Sequence, residues 1–203
     1  MEDQRMTALQ EVKSHLVPGH VYRRIDIKRW SNAVDRHLVQ LQKENLLLKV
    51  SAGMYLCPKE TEFGKAPPNE RDMVRTFLKD SRFLLTTPNL YNALGVGTTQ
   101  LYNETVVYNH KRHGLFKLGN RYFHFVMKRH FPLKISNEFL IVDLVDNLNK
   151  LPEDRDKVLK LVEEKALSMD LNLRKEAVQS YGSVRARKFF ANILIDKCVD
   201  HDA

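Results

Sequence analysis

Apolar residues recur at Met6, Leu9, Val12 and Leu16, spacings of three, three and four that draw one stripe along a helix over residues 5–16. Pro18-Gly19 ends it, since proline cannot continue the ladder and glycine permits the turn. A short extended piece follows at His20–Tyr22, and a brief helix is expected between Tyr22 and Ser31, in RRIDIKRW. Residues 31–45 (SNAVDRHLVQLQKEN) predict a longer helix with Ser31 as N-cap and Ala33, Val34, Leu38 and Leu41 as its buried stripe. Asn32, Asp35, Arg36, Gln40 and Lys43 then take the wetter side, and Asn45 suits a left-handed C-terminal cap. Leu46–Val50 and Met54–Cys57 are β-favouring runs around Ser51-Ala52-Gly53, which reads as a hairpin.

Helix, turn, capped helix and hairpin within some sixty residues follow the plan of a winged helix-turn-helix. In that plan the capped helix enters the major groove and the hairpin lies along the backbone. Residues 58–70 (PKETEFGKAPPNE), with three prolines and a glycine, read as a linker. Beyond it, helices are expected at Glu70–Lys79 and Leu90–Leu94, the second introduced by Thr86-Thr87-Pro88-Asn89 and stopped at Gly95. Strands follow at Glu104–Tyr108, Leu115–Leu118 and Arg121–Met127, the last two joined by Gly119-Asn120, a pair suited to a primed turn. Helices are expected at Asn137–Asn149, Glu153–Ser168, Lys175–Tyr181 and Ser183–Lys197, and 198–203 (CVDHDA) reads as a frayed tail. The expected class is α+β: a winged helix-turn-helix over 1–60, then a small α+β domain over 61–203 with a helical C-terminal part.

At 203 residues, with 43% hydrophobic and 29% charged, the chain is long enough to bury a core and is not disordered by composition. No apolar run reaches the length of a membrane span. The acidic, polar start is unlike a secretory signal, and Cys57 and Cys198 make no disulfide framework, so a soluble protein of the reducing cytoplasm is expected. The net charge of +8 is unevenly spread: +3 over residues 1–60, +7 over 61–135 and −2 over 136–203. A basic front ahead of a near-neutral helical rear points to a polyanionic partner.

Catalytic patterns are missing from the sequence. Gly95-Val96-Gly97 lacks the third glycine of a dinucleotide fingerprint, and no Walker lysine occurs. His110 and His113 have no second Cys/His pair to complete a zinc site and are flanked by cations. Gly182-Ser183 matches the opening of a nucleotidyltransferase motif, but Val184-Arg185-Ala186-Arg187-Lys188 puts cations where magnesium-binding carboxylates belong. The strand around HFVMK likewise lacks the carboxylates of a nuclease core. A non-enzymatic protein with no cofactor and no metal is expected.

Basic residues make the stronger constellation. Arg23, Arg24, Lys28 and Arg29 crowd the approach to the capped helix, with Trp30 among them as a packing anchor. These cations suit phosphates, while Asn32, Arg36 and Gln40 suit base edges, with Asp35 beside them to orient Arg36 or accept from cytosine. Lys49 and Ser51 lie on the wing. Lys111-Arg112-His113 and Lys128-Arg129-His130 form a secondary basic patch that either extends a DNA track or meets an acidic partner.

The run NAVDRHLVQLQKENLLLKVSAGMYLCPK resembles the N-terminal winged helix of AbiEi-type antitoxins, a basic, leucine-rich helix leading into a short wing that ends in Gly-x-Tyr. TTPNLYNALGVGTTQLYNETVVYN followed by FKLGNRYFHF is similar to that family's middle domain, and YGSVRARKFFANIL to its helical tail. The resemblance spans roughly residues 8–195. It implies a non-enzymatic antitoxin that counters a nucleotidyltransferase-like toxin, directly or indirectly, and represses its own operon by binding promoter repeats as a dimer or as cooperating monomers. Carried over, Ser31, Asn32, Arg36 and Gln40 would read DNA, and Lys49 and Ser51 would touch its backbone. The chain departs from the family at RRIDIKRW, where a more ordinary polar segment is usual. The middle domain of that family has been likened to nuclease folds, whose cutting carboxylates this chain lacks. Against this stand two rivals: a protein-interaction module that docks through its winged helix, and a degenerate nuclease-like protein.

Overall fold

The computed structural model describes residues 6–99 and 101–199. The chain is mixed α+β, with helices at both ends of the sequence and strands between them. It divides into two compact units: one takes the residues up to Phe83 together with Gly114–Phe123, the other Leu84–His113 together with the residues from His124 onward. The expected tail beyond residue 199 lies outside the described residues.

In the first unit, α1 (Ala8–Ser14) opens on a capping box: the Thr7 hydroxyl accepts from the Gln10 N–H, and the Gln10 side chain accepts from the Thr7 N–H. β1 (Val21–Arg23) leads into α2 (Arg24–Ile27), continued by a 3-10 turn over Lys28–Trp30. Then come α3 (Val34–Lys43), β2 (Leu48–Ser51) and β3 (Met54–Leu56). The three strands form an antiparallel sheet in the order β1-β3-β2. Val12, Ile27, Leu38, Leu41 and Leu47 bury together beneath it, with Trp30 packed at the edge and stacked 4.6 Å from the His15 ring. Asn45 takes the expected left-handed conformation (φ 58°), and the Leu46 N–H returns to the Leu41 carbonyl, closing α3.

Two expectations for this region need correction. α3 starts two residues later than expected and Ser31 is not its N-cap; Ala33 is, without a side-chain cap, because the Ser31 hydroxyl is engaged inside the core. Residues 58–70 are not a plain linker, for β4 (Glu60–Thr61) and β5 (Gly64–Lys65) pair as a tight hairpin. Gly64, at φ 99°, allows the return, and the Thr61 hydroxyl ties it by donating to the Gly64 carbonyl at 2.6 Å. α4 (Glu70–Leu78), capped by Asn69, packs against β1, so the first unit extends past residue 60.

A four-stranded sheet runs in the order β6-β7-β9-β8, from β6 (Leu84–Thr86), β7 (Thr105–Asn109), β8 (Gly114–Leu118) and β9 (Arg121–Met127). The turn between β8 and β9 belongs to the first unit, where the Gly119 N–H donates to the Val50 carbonyl at 2.7 Å. β6 was not expected from so short a run; it exists because it pairs with β7, Leu84 opposite Tyr108 and Thr86 opposite Val106. The expected helix at 90–94 is a 3-10 stretch over Pro88–Leu94, ended by Gly95 at φ 69°.

In the second unit α5 (Asn137–Asn147) is buried along all of Phe139–Val145 and packs against α7 (Leu171–Tyr181) and α8 (Val184–Val199). α6 (Arg155–Leu167) begins on Asp154, which accepts from the Asp156 and Lys157 N–H groups. α7 starts four residues earlier than expected because Asp170 caps it in the same way. Among the described residues, no helix is long and apolar enough to cross a membrane.

Candidate nucleic-acid interface

The core sorts the faces of α3. Val34, His37, Leu38 and Leu41 point inward, while Arg36, Val39, Gln40 and Lys43 are exposed. At 100° per residue the exposed four share one face, opposite the buried four. Asn32 stands exposed just before the helix. Arg24, Lys28, Asn32, Asp35 and Arg36 border one open depression at the helix start. Lys49 is exposed on β2 and Ser51 half-buried beside the hairpin turn. Lys28, Arg29, Arg36 and Lys49 form no ion pair among the described residues.

Three of the expected site residues have other work. Arg23 is bound bidentately by Asp26, at 2.9 and 3.1 Å, and its own N–H donates to the same carboxylate. Arg24 is held bidentately by Asp35 at 2.7 and 2.6 Å, so Asp35 serves Arg24 rather than orienting Arg36. Each guanidinium already faces a carboxylate in the fork geometry that favours such pairs. Ser31 is only 5% exposed: its hydroxyl accepts from the Ala33 N–H at 3.1 Å and sits 2.7 Å from His37 Nδ1. It sets the helix start and cannot reach a base from there.

These pairs move the acids. Burial alone would push the Asp26 carboxyl up, but hydrogen bonds from the Arg23 side chain and backbone, with the charges of Arg23 and Arg29, outweigh it and hold the group below its ordinary value. The Arg24 bonds lower Asp35 in the same direction.

The secondary patch also changes. Lys128 is not a surface cation: its ammonium lies 2.6 Å from Asp143 and sits 4.6 Å from the centre of the Tyr108 ring. Asp143 is fully buried and also accepts from the Tyr91 and Tyr108 hydroxyls, while Asn147 donates to both phenol oxygens. Burial first, and the Asp143 charge second, push both phenols far up, so they remain donors. Every member of this network has its partners, which is how a polar cluster survives in a core. Lys111, Arg112 and Arg129 remain exposed on the neighbouring turns, and Asn109 fixes the first turn by accepting from the Lys111 and Arg112 N–H groups at 2.8 and 2.7 Å.

Two features were missed in the sequence. Val39 is 52% exposed between Arg36 and Gln40, an apolar contact on a polar face; its place on the helix wheel was the available signal. Asp143 interrupts the apolar run of NEFLIVDLVDN, and an acid flanked by buried residues on both sides signals a buried pair. Gly182-Ser183 proves to be a helix start: the Ser183 hydroxyl accepts from the Arg185 and Ala186 N–H groups and donates to Asp146. Among the described residues no group of three or more His, Cys, Asp or Glu could hold a metal ion. No family model matches the chain, and no curated protein matches it.

Proposed function

We propose that the first unit is a winged helix-turn-helix and that the chain is a DNA-binding transcriptional autorepressor. The observation that carries this reading is the exposed face of α3, with Arg36, Val39 and Gln40 aligned away from the core and, at its approach, Lys28 and Arg29, which form no ion pair among the described residues. In this reading α3 lies in the major groove. Arg36 suits guanine, Asn32 and Gln40 suit adenine, and Val39 suits a thymine methyl. Lys28, Arg29 and Lys49 contact phosphates, the last from the β2–β3 wing, where Ser51 adds a hydroxyl.

The ordered resemblance over most of the chain supports the second half of the proposal. The protein is the antitoxin of a pair, acting in the cytoplasm without catalysis, and it counters a nucleotidyltransferase-like toxin. Restoration of growth when this chain is co-expressed with the toxin gene beside its own supports that half, and continued arrest overturns it.

A gel-shift titration at two salt concentrations tests the DNA half, with the duplex upstream of the gene against a scrambled duplex of equal length. Preference for the upstream DNA that survives the higher salt is expected. Equal affinities that collapse together with salt contradict base reading. The internal pairing of Arg23 and Arg24 favours one rival, a docking module for another protein, because it takes two cations out of the cluster. Absence of any shift on either duplex selects that rival.

A further inference from the structure

The hairpin of β4 and β5 presents one side chain almost wholly to solvent: Phe63, at 99% exposure. Its place is built. Glu60 pairs with Lys65 and Thr61 with Gly64, and the Ala66 N–H closes onto the Lys59 carbonyl at 2.8 Å, leaving Glu62-Phe63 as the two-residue loop. A tight hairpin that holds a phenyl ring out in water gains nothing for its own fold from that ring. Large aromatics in such positions are typical anchors of an interface. Glu62 beside it makes no ion pair among the described residues.

The same unit carries a matching hole. A cleft of about 450 Å³, open to solvent, has an apolar floor that includes Val50, Leu56, Met73 and Leu118. Its rim carries Lys49, Lys65 and Arg121, and no carboxylate lines it. Arg121 is paired with Glu70, whereas Lys49 and Lys65 form no ion pair among the described residues. An aromatic knob with an acid beside it thus lies close in sequence and in space to an apolar cleft with a basic rim, and Lys65 belongs to both.

We propose that two copies of this chain associate through these features, Phe63 of each seating in the apolar cleft of the other while Glu62 meets Lys65 on its rim, which leaves Lys49 to its own contacts. Knob and cleft on one surface are the condition for a two-fold, self-complementary contact, which closes at the dimer and leaves neither half unused. The inference does not rest on DNA binding, although a two-fold dimer is the form that reads paired half-sites.

The mass of the full chain, measured by sedimentation equilibrium from low to several hundred micromolar, is the test. It is expected to rise to twice 23.7 kDa. Phe63→Ser should weaken the dimer at least tenfold, with the melting temperature unchanged at concentrations where both proteins are monomeric, because the ring is 99% exposed in its own copy. Glu62→Lys should weaken it too. A benzophenone amino acid at position 63 should crosslink copy to copy into residues 48–56, 65–68 or 118–121. A chain that stays monomeric throughout, a dimer indifferent to Phe63→Ser, or crosslinks confined to other segments each overturn the proposal.

Discussion

At the scale of single residues the two best-organised charges differ in what they hold. Asp143 is enclosed and answers three donors, from Lys128, Tyr91 and Tyr108. Asp143→Ala leaves an ammonium and two hydroxyls in the core without their acceptor, which costs about 3–5 kcal/mol, and the urea midpoint should fall accordingly. A loss under about 1 kcal/mol would mean that water replaces the carboxylate. Asp35 is exposed and holds only Arg24, so its loss has little bearing on the fold. Asp35→Asn instead frees a guanidinium at the edge of α3. It should tighten binding to operator and random duplex alike and add about one phosphate to the salt dependence in a titration. Neither partnership could be read from the sequence, since Arg24 and Asp35 lie eleven positions apart and Lys128 and Asp143 fifteen. Side chains that far apart meet only through the fold. The sequence therefore shows Arg24 and Lys128 as cations without showing that they are already occupied, whereas Asp26, three positions from Arg23, was within local reach.

At the scale of elements, periodicity carried most of the architecture. The α3 stripe, the two hairpins at 51–53 and 119–120 and the cap at Asn45 depend on local spacing and turn chemistry, and the structure places each where that chemistry asks. Elements held by distant partners stayed hidden. β6 depends on β7 for its existence, and the start of α3 is decided by Ser31 turning toward buried His37. The β4–β5 hairpin was obscured by a proline-rich, polar composition that resembles a linker. α2 offers a pH test of such local chemistry. Asp26 caps its first turn and is held below the ordinary carboxylate value in the folded chain. A depressed folded value adds stability above the unfolded value and loses it as pH falls through the folded one. Wild-type stability should therefore decline below about pH 4, the ordinary carboxylate range. Asp26→Asn should be about 1 kcal/mol weaker at pH 7 and indistinguishable from wild type at low pH. Denaturant midpoints across pH measure the difference; parallel curves would show that Asp26 does not carry it.

At the scale of the whole molecule, charge decides how the proposed DNA contact responds to salt. The net +8 overstates the usable field, because Arg23, Arg24 and Lys128 are already paired and the last third of the chain is slightly acidic. What remains at the proposed face is Lys28, Arg29 and Lys49 for phosphates, with Arg36 for a base. Each phosphate neutralised changes the logarithm of affinity by about −0.9 per decade of salt. A slope of about −3 per copy follows from three contacts, doubling if two copies bind together. Lys49→Ala should shallow the slope by about 1 and weaken every duplex equally. Arg36→Ala should instead cost about 1–3 kcal/mol on the operator alone and leave random duplex almost unchanged. Fluorescence anisotropy titrations over a range of salt, on both duplexes, separate these effects. A slope near −5 per copy would show that Arg23 and Arg24 leave their carboxylates to join the phosphates. A loss from Arg36→Ala that is equal on both duplexes would remove that residue from base reading.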